Sequence, residues 1–190
     1  MQHIDPQTLY FLRHRRSHPP RMLRGPGPDR HELMNLLTLA ARVPDHGKLE
    51  PWRFIVLERA TLDRLAPVLA QYAGDRGADA AAVEKARSAF DSPLIVAVVS
   101  APVASDKVPQ WEQFLSAGAV CLGLVNAALA SGWGAAWLSG PAVLDETFGR
   151  NHLGLSQDER IVGLVHLGSR GETPPERPRP DVAAKTTWLE

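Results

Sequence analysis

The sequence predicts an α+β domain, and three observations predict it. Apolar residues recur at helical spacing behind capping residues, as at 30–43. Short runs rich in β-branched and aromatic residues, at 52–57, 93–101, 134–140 and 160–169, read as strands. Residues 109–131 form the longest helix, apolar on nearly every side through Phe114, Leu115, Val120, Leu122, Leu124, Val125 and Leu129. A helix of that kind is buried, in a core or at a subunit interface.

The elements follow in order. Asp5-Pro6 opens a short helix to about Arg15, with Asp as N-cap and Pro at the first position. "SHPP" and "RMLRGPGPD" after it read as loop. Asp29 with Glu32 resembles a capping box, so 30–43 is an amphipathic helix stopped by Pro44. Residues 61–72 and 79–90 are helices joined by "GDRG". The unbroken apolar run "PLIVAVVSA" at 93–101 is a strand buried on both faces. A short helix at 142–149 precedes the last strand, and the Pro- and Arg-rich tail 170–190 is extended. Residues 1–190 are expected to form one domain with that tail, in an obligate dimer that shares the apolar helix.

Composition narrows the function. Apolar residues make up 44% of 190, enough for a core. Lys plus Arg and Asp plus Glu both number 21, so net charge names no partner. Five arginines between Pro6 and Pro28 (Arg13, Arg15, Arg16, Arg21, Arg24) face no carboxylate in that stretch and need solvent or an anion. The one cysteine, Cys121, excludes an internal disulfide and reads as a small core residue. The opening "MQHIDPQTLY" lacks the order of a signal peptide, and no apolar stretch of about 18 to 20 residues is free of Pro, Gly or polar breaks, so a soluble cytoplasmic protein is expected. "GPGPDR" follows no strand and is no dinucleotide fingerprint. His14 and His18 have no carboxylate between them, and no metal site is expected.

Separated features carry the remaining chemistry. Arg15, Arg16 and Ser17 at a helix end can hold a phosphate, or form a solvated basic face. "PDHGKLEPW", with His46 and Glu50, crowds polar chemistry before a core strand, or is only a helix stop and strand start. "GWGAAWLSG", with Trp137, Leu138 and Ser139, lets backbone approach something flat, or packs a tight strand. Arg177 and Arg179 alone would be a solvated tail.

The order of the set carries a resemblance. Arg-Arg-Ser, then Arg-x-Pro-Asp-His-Gly-Lys-Leu-x-Pro-Trp-x-Phe, Lys-Val-Pro-x-Trp-Glu, Trp-x-Ser-Gly, Ile-Val-Gly and "ERPRPD" occur in one sequence over nearly the whole chain. The chain resembles the FMN-dependent nitroreductase family, in its small YdjA-like branch. That resemblance implies an α/β sandwich with a central mixed sheet flanked by helices, and an intertwined homodimer with FMN sites at the subunit interface. Arg15, Arg16 and Ser17 would grip the FMN phosphate and ribityl chain, and Arg177 or Arg179 would complete the phosphate site. His46 and Glu50 would come from the partner, and Trp137, Leu138 and Ser139 would line the ring. The implied activity is ping-pong hydride transfer from NADH or NADPH through FMN to a nitroaromatic, quinone or similar small acceptor, with no dedicated catalytic side chain.

Two positions depart from that pattern. Glu50 stands where Gln or Asn is common, and Leu138 where a cation is frequent. Both subtract positive charge near the ring, and Glu50 calls for Lys48 or an arginine as partner. The alternatives are a flavoprotein of the same fold with another reaction (dehydrogenation, dehalogenation or flavin breakdown) and a non-enzymatic anion- or nucleic-acid-binding module. Zero net charge and the lack of a shared face for arginines and aromatics weigh against the nucleic-acid reading, and neither nucleic acid nor membrane is expected as partner.

Overall fold

A computed structural model describes residues 4–189. Helix α1 (Pro6–His14) begins where the Asp5 carboxylate accepts hydrogen bonds from the amides of Gln7 and Thr8. Helix α2 (Arg30–Ala40) starts in a complete capping box between Asp29 and Glu32. It ends three residues before the expected 43. The chain between α1 and α2 is not all loop: a 3-10 turn at Pro20–Met22 leads into the two-residue strand β1 (Leu23–Arg24).

The sheet is built on β5 (Arg160–Arg170). Strands β3 (Leu94–Ser100) and β4 (Gly134–Leu138) pair with the same stretch of β5, from its two edges, and both are antiparallel to it. β1 pairs with the end of β5, and β2 (Trp52–Glu58) with β3, again antiparallel. Every pairing among the described residues is thus antiparallel, where a mixed sheet was expected. β3 and β4 do run the same way, as a helical crossover requires. The last strand of the chain is inserted between them.

Helices cover both faces, as the sandwich expectation required. β3 is buried along its whole length and divides its side chains. Val96 and Val98 join Leu33 and Leu36 of α2 and Leu124 of α5 (Gln110–Ala130). Ile95, Ala97 and Val99 join Leu62 and Leu65 of α3 (Arg59–Asp75), Ala86 of α4 (Ala80–Arg87) and Phe148 of α7 (Glu146–Leu153). Each Val or Ile so buried is worth about 1.5–3 kcal/mol, and a charge at Val96 would break the layer contact. The helix expected at 142–149 is two: α6 (Pro141–Leu144) and α7, broken at Asp145, whose carboxylate caps Phe148.

Helix α5 is only half buried in the single chain. Ala117, Val120, Cys121, Leu124 and Ala128 face the core, while Trp111, Leu115 and Leu122 are exposed. The reason is geometric: one chain offers one sheet face, so an all-round apolar helix keeps an open side. α5 runs unbroken through Gly118 and Gly123. It is long and apolar enough to cross a membrane by length and composition, yet more than half of its most apolar window is buried within the protein. At Gly123 a Cβ would lie 2.9 Å from the Ala40 carbonyl oxygen, so the missing side chain lets α2 and α5 approach closely. Burial pushes the Cys121 thiol up to about 12, consistent with a core residue.

Candidate functional site

The predicted basic group assembles. α1 ends at His14, and Arg15 after it leaves the helical conformation while its amide still donates to the Phe11 carbonyl. The segment is then tied to β4 by the His18 amide, 2.9 Å from the Ala135 carbonyl. The C-terminal tail returns over it: Arg16 Nη2 donates to the Pro175 carbonyl at 2.9 Å. Glu176 pairs with Arg179 at 2.9 Å and lies 3.9 Å from Arg16 Nε, beyond hydrogen-bond reach. Arg15 Nη2 donates to Ser17 Oγ at 3.2 Å. Burial weakens the Arg15 guanidinium's hold on its proton, and the charges of Arg16, Arg179 and Arg177 weaken it further.

These four cations have one nearby carboxylate among the described pairs, Glu176, and two of their donors have nothing. The Nε atoms of Arg15 and Arg16 are buried without a hydrogen-bond partner. Leaving such donors unpaired costs on the order of 1–3 kcal/mol each, more for charged groups. A cleft of about 380 Å³ opens beside them, lined by Tyr10, His14, His18 and Arg170 among others. An anion with several oxygens is the species that relieves both the repulsion and the orphaned donors.

Sequence reasoning weighs His18 only as a metal ligand and does not single out Arg170, yet both border this cleft. His18 is buried with Nδ1 unpartnered, and burial, with the charge of Arg170 second, disfavours its protonated form. Arg170 donates to the carbonyls of Leu129 and Trp133, closing the C-terminal end of α5. Its position at the end of a strand carried no local signal.

On β4 the chain emerges from the core: Gly134, Ala135 and Ala136 are buried, while Trp137, Leu138 and Ser139 are exposed. The Trp137 indole occupies the space that a side chain at residue 163 of β5 would take, which is open because residue 163 is glycine. A Cβ there would meet the indole Nε1 at 1.8 Å. Gly134 shows tight packing too, since a Cβ there would lie 2.6 Å from Leu23 Cδ2 of β1.

The loop after α2 is locked. The Asp45 carboxylate accepts from the amides of Leu49 at 3.2 Å and Glu50 at 2.8 Å. Gly47, Lys48 and Glu50 all take positive φ, 75°, 54° and 48°. For Lys48 and Glu50 that costs on the order of 1 kcal/mol or more each and persists only where surroundings impose it. Ser116 Oγ of α5 donates to the Pro44 carbonyl at 2.8 Å, and His46 Nδ1 lies 2.8 Å from Glu112 Oε1, also on α5. Between this loop and α5 is a cleft of about 530 Å³, walled by Val108, Leu115 and Ala119. Neither Glu50 nor Lys48 takes part in an ion pair among the described residues, so the pairing considered for Glu50 is absent from the single chain.

The profile of the nitroreductase family matches residues 12–169. The chain belongs to the nitroreductase family. It is 39% identical over 163 residues to the Escherichia coli K12 protein named "Putative NAD(P)H nitroreductase YdjA", covering 85% of this chain and 87% of that one. A Haemophilus influenzae protein similarly named an NAD(P)H nitroreductase is 35% identical over 165 residues, covering 85% and 88%. Among solved structures, a nitroreductase-like protein from Bacillus cereus superposes with TM-score 0.79 over 100% of both chains, at 20% identity. A Bacteroides fragilis nitroreductase with bound FMN gives 0.74 over 98% of this chain and 100% of that one, at 20% identity. At such identity these structures speak for the fold.

In this nitroreductase the predicted site residues fall into two separated groups. Arg15, Arg16, Ser17, Arg177 and Arg179 gather near Leu129, at the C-terminal end of α5, with β4 beside them. His46 sits against Glu112 near the N-terminal end, with Glu50 in the same loop. At 1.5 Å per residue, Glu112 and Leu129 are about 26 Å apart along the helix. One chain therefore does not bring His46 and Glu50 to the arginines.

Proposed function

We propose that this nitroreductase is an FMN-dependent NAD(P)H oxidoreductase that passes electrons from NADH or NADPH to a nitroaromatic, quinone or similar small acceptor. The observation that carries the reading is the pair of buried, unpartnered Nε donors on Arg15 and Arg16 inside a four-arginine cluster. The FMN phosphate fits that donor set in charge and in oxygen count. Arg15, Arg16 and Ser17 bind it, with Arg177 and Arg179 supplied by the tail. The exposed run Trp137, Leu138 and Ser139 offers the flat face for the ring. Bound FMN supplies the hydride chemistry, and the protein positions it and tunes its potential. The relatives' names as NAD(P)H nitroreductases support the nicotinamide donor.

The same reading makes the working unit a homodimer, each chain one domain, acting in solution in the cytoplasm. Trp111 is 66% exposed, Leu115 61% and Leu122 48%, all on α5, and on α2 Met34 is 60% exposed and Leu39 53%. So much apolar surface on two neighbouring helices calls for a cover. Packing α5 against its copy about a two-fold axis, antiparallel, sets the His46 end of one chain beside the arginine end of the other. His46 and Glu50 then complete a site that neither chain holds alone.

The test is the absorption spectrum of the purified protein, followed by anaerobic titration with each nicotinamide. A yellow protein bleached by NADH or NADPH is the expected result. A colourless protein that takes up no added FMN contradicts the reading.

A further inference from the structure

The pair His46–Glu112 is not part of the expected flavin chemistry, which asks for no acid or base side chain. Its geometry is specific. A carboxylate only accepts hydrogen bonds, so at 2.8 Å His46 Nδ1 carries the hydrogen that bonds to Glu112 Oε1. Nε2 is then the nitrogen left for a ligand, and it has no protein partner among the described residues. The histidine lines the cleft of about 530 Å³ between its loop and α5.

The surroundings hold this arrangement in place. On the loop side, Asp45 is occupied by two amides and does not compete for the ring. On the α5 side, Ser116 pins the Pro44 carbonyl one turn beyond Glu112. Gln113 is 2% exposed and clamps the 103–108 segment, accepting from the Val103 amide and donating to the carbonyls of Val103 and Val108. The charged groups facing His46 across the cleft are Asp45 from its own loop and Glu112 from α5. Val108, Leu115 and Ala119 make the rest of the wall largely apolar, which suits an aromatic or quinonoid acceptor.

We propose that His46, oriented by Glu112, is the proton donor to the electron acceptor; this deepens the functional reading above and rests on it. The balance for a quinone is simple. NAD(P)H contributes two electrons and one proton, as hydride. The second proton leaves Nε2 of the doubly protonated His46 imidazolium for the quinone oxygen: an N–H bond breaks, an O–H bond forms, and hydroquinone results. The ring is left neutral, its Nδ1–H still donating to the Glu112 carboxylate, and a proton from bulk solvent, the one proton the overall reaction consumes, reprotonates Nε2. Glu112 is a positioning residue, since it acts only through His46.

The test combines a spectroscopic and a kinetic readout. In the apoprotein, nitrogen-15 spectra of neutral His46 should place the ring hydrogen on Nδ1, and Glu112→Ala should lose that preference. Glu112→Gln, whose amide oxygen can still accept from Nδ1, should retain more of it. In the FMN-loaded, nicotinamide-reduced protein, His46→Ala should slow transfer to 1,4-naphthoquinone on the order of 100-fold, and imidazole in the buffer should restore about tenfold or more of that loss. Glu112→Ala should slow the same step less, and serves if His46→Ala does not fold. A ring hydrogen on Nε2 in the parent, or a slowed His46→Ala that imidazole leaves unchanged, overturns the proposal. A protein that takes up no FMN, or whose FMN no nicotinamide reduces, fails the functional reading and the proposal together. One that does both without imidazole rescue fails the proposal alone.

Discussion

Trp137 and Gly163 share one space: a Cβ on Gly163 would lie 1.8 Å from the indole Nε1. The indole therefore rests on backbone, and any side chain at 163 must lift it. Gly163→Ala should cost about 1–3 kcal/mol as overpacking and should loosen the flat face offered by β4. Urea unfolding with Trp fluorescence measures both effects. An alanine variant as stable as the parent, with unchanged emission, would mean that the indole has another resting place.

Arg15 is opposed by its neighbours in the single chain, so its worth should lie in ligand binding. Arg15→Ala should weaken FMN binding by about 1.5–3 kcal/mol, the loss of a charge-assisted contact, or roughly 10- to 150-fold in affinity. The apoprotein's Tm should not fall, because one member of a repelling set is gone. Fluorescence titration with FMN and thermal unfolding without it separate the two effects. Unchanged affinity would place the phosphate elsewhere.

Arg53 and Glu159 meet at 2.6 Å, across β2 and the start of β5. That hydrogen bond holds the Glu159 carboxyl down at about 2, against an ordinary 4.5. A depressed folded value means stability that is present above pH 4.5 and lost as pH falls from there toward 2. With Arg53 partly exposed, the contribution is on the order of 2 kcal/mol or less. Glu159→Gln should therefore be less stable than the parent at pH 7, with the gap narrowing as pH falls below 4.5 and closing only near pH 2. A gap independent of pH would show that packing, and not the ion pair, is what the variant loses.

Glu50 has no cationic partner among the described ion pairs, and its φ of 48° fixes where the chain presents it. A carboxylate brought near the flavin opposes its anionic reduced form. Glu50→Gln should raise the flavin's reduction potential, speed hydride uptake from NAD(P)H and slow transfer to weak acceptors. Spectroelectrochemical titration at neutral pH reads the sign. A potential that stays or falls would mean that the loop does not meet the ring.

What the sequence makes legible is local, and so is the physics behind it. The Asp5-Pro6 cap, the Asp29–Glu32 box and the apolar run of β3 are written within a few residues of where they act. The grouping of Arg15, Arg16 and Ser17 was legible for the same reason. What escapes is long-range. That β5 inserts between β3 and β4 follows from which edges find each other, and no residue in β5 announces it. Glu112 opposite His46, Arg170 at the end of α5 and Gly163 beneath Trp137 are separated by tens of residues and meet only in the fold. The open side of α5 reads like core because composition alone does not distinguish a core from an interface.

The central claim is an FMN site completed between two chains, and sedimentation velocity followed at the flavin's visible band tests it most directly. The account predicts that the visible absorbance travels with a species of twice 20.7 kDa, carrying two FMN per dimer. Flavin absorbance sedimenting with a stable 20.7 kDa monomer, or protein sedimenting with no flavin after incubation with FMN, would contradict it.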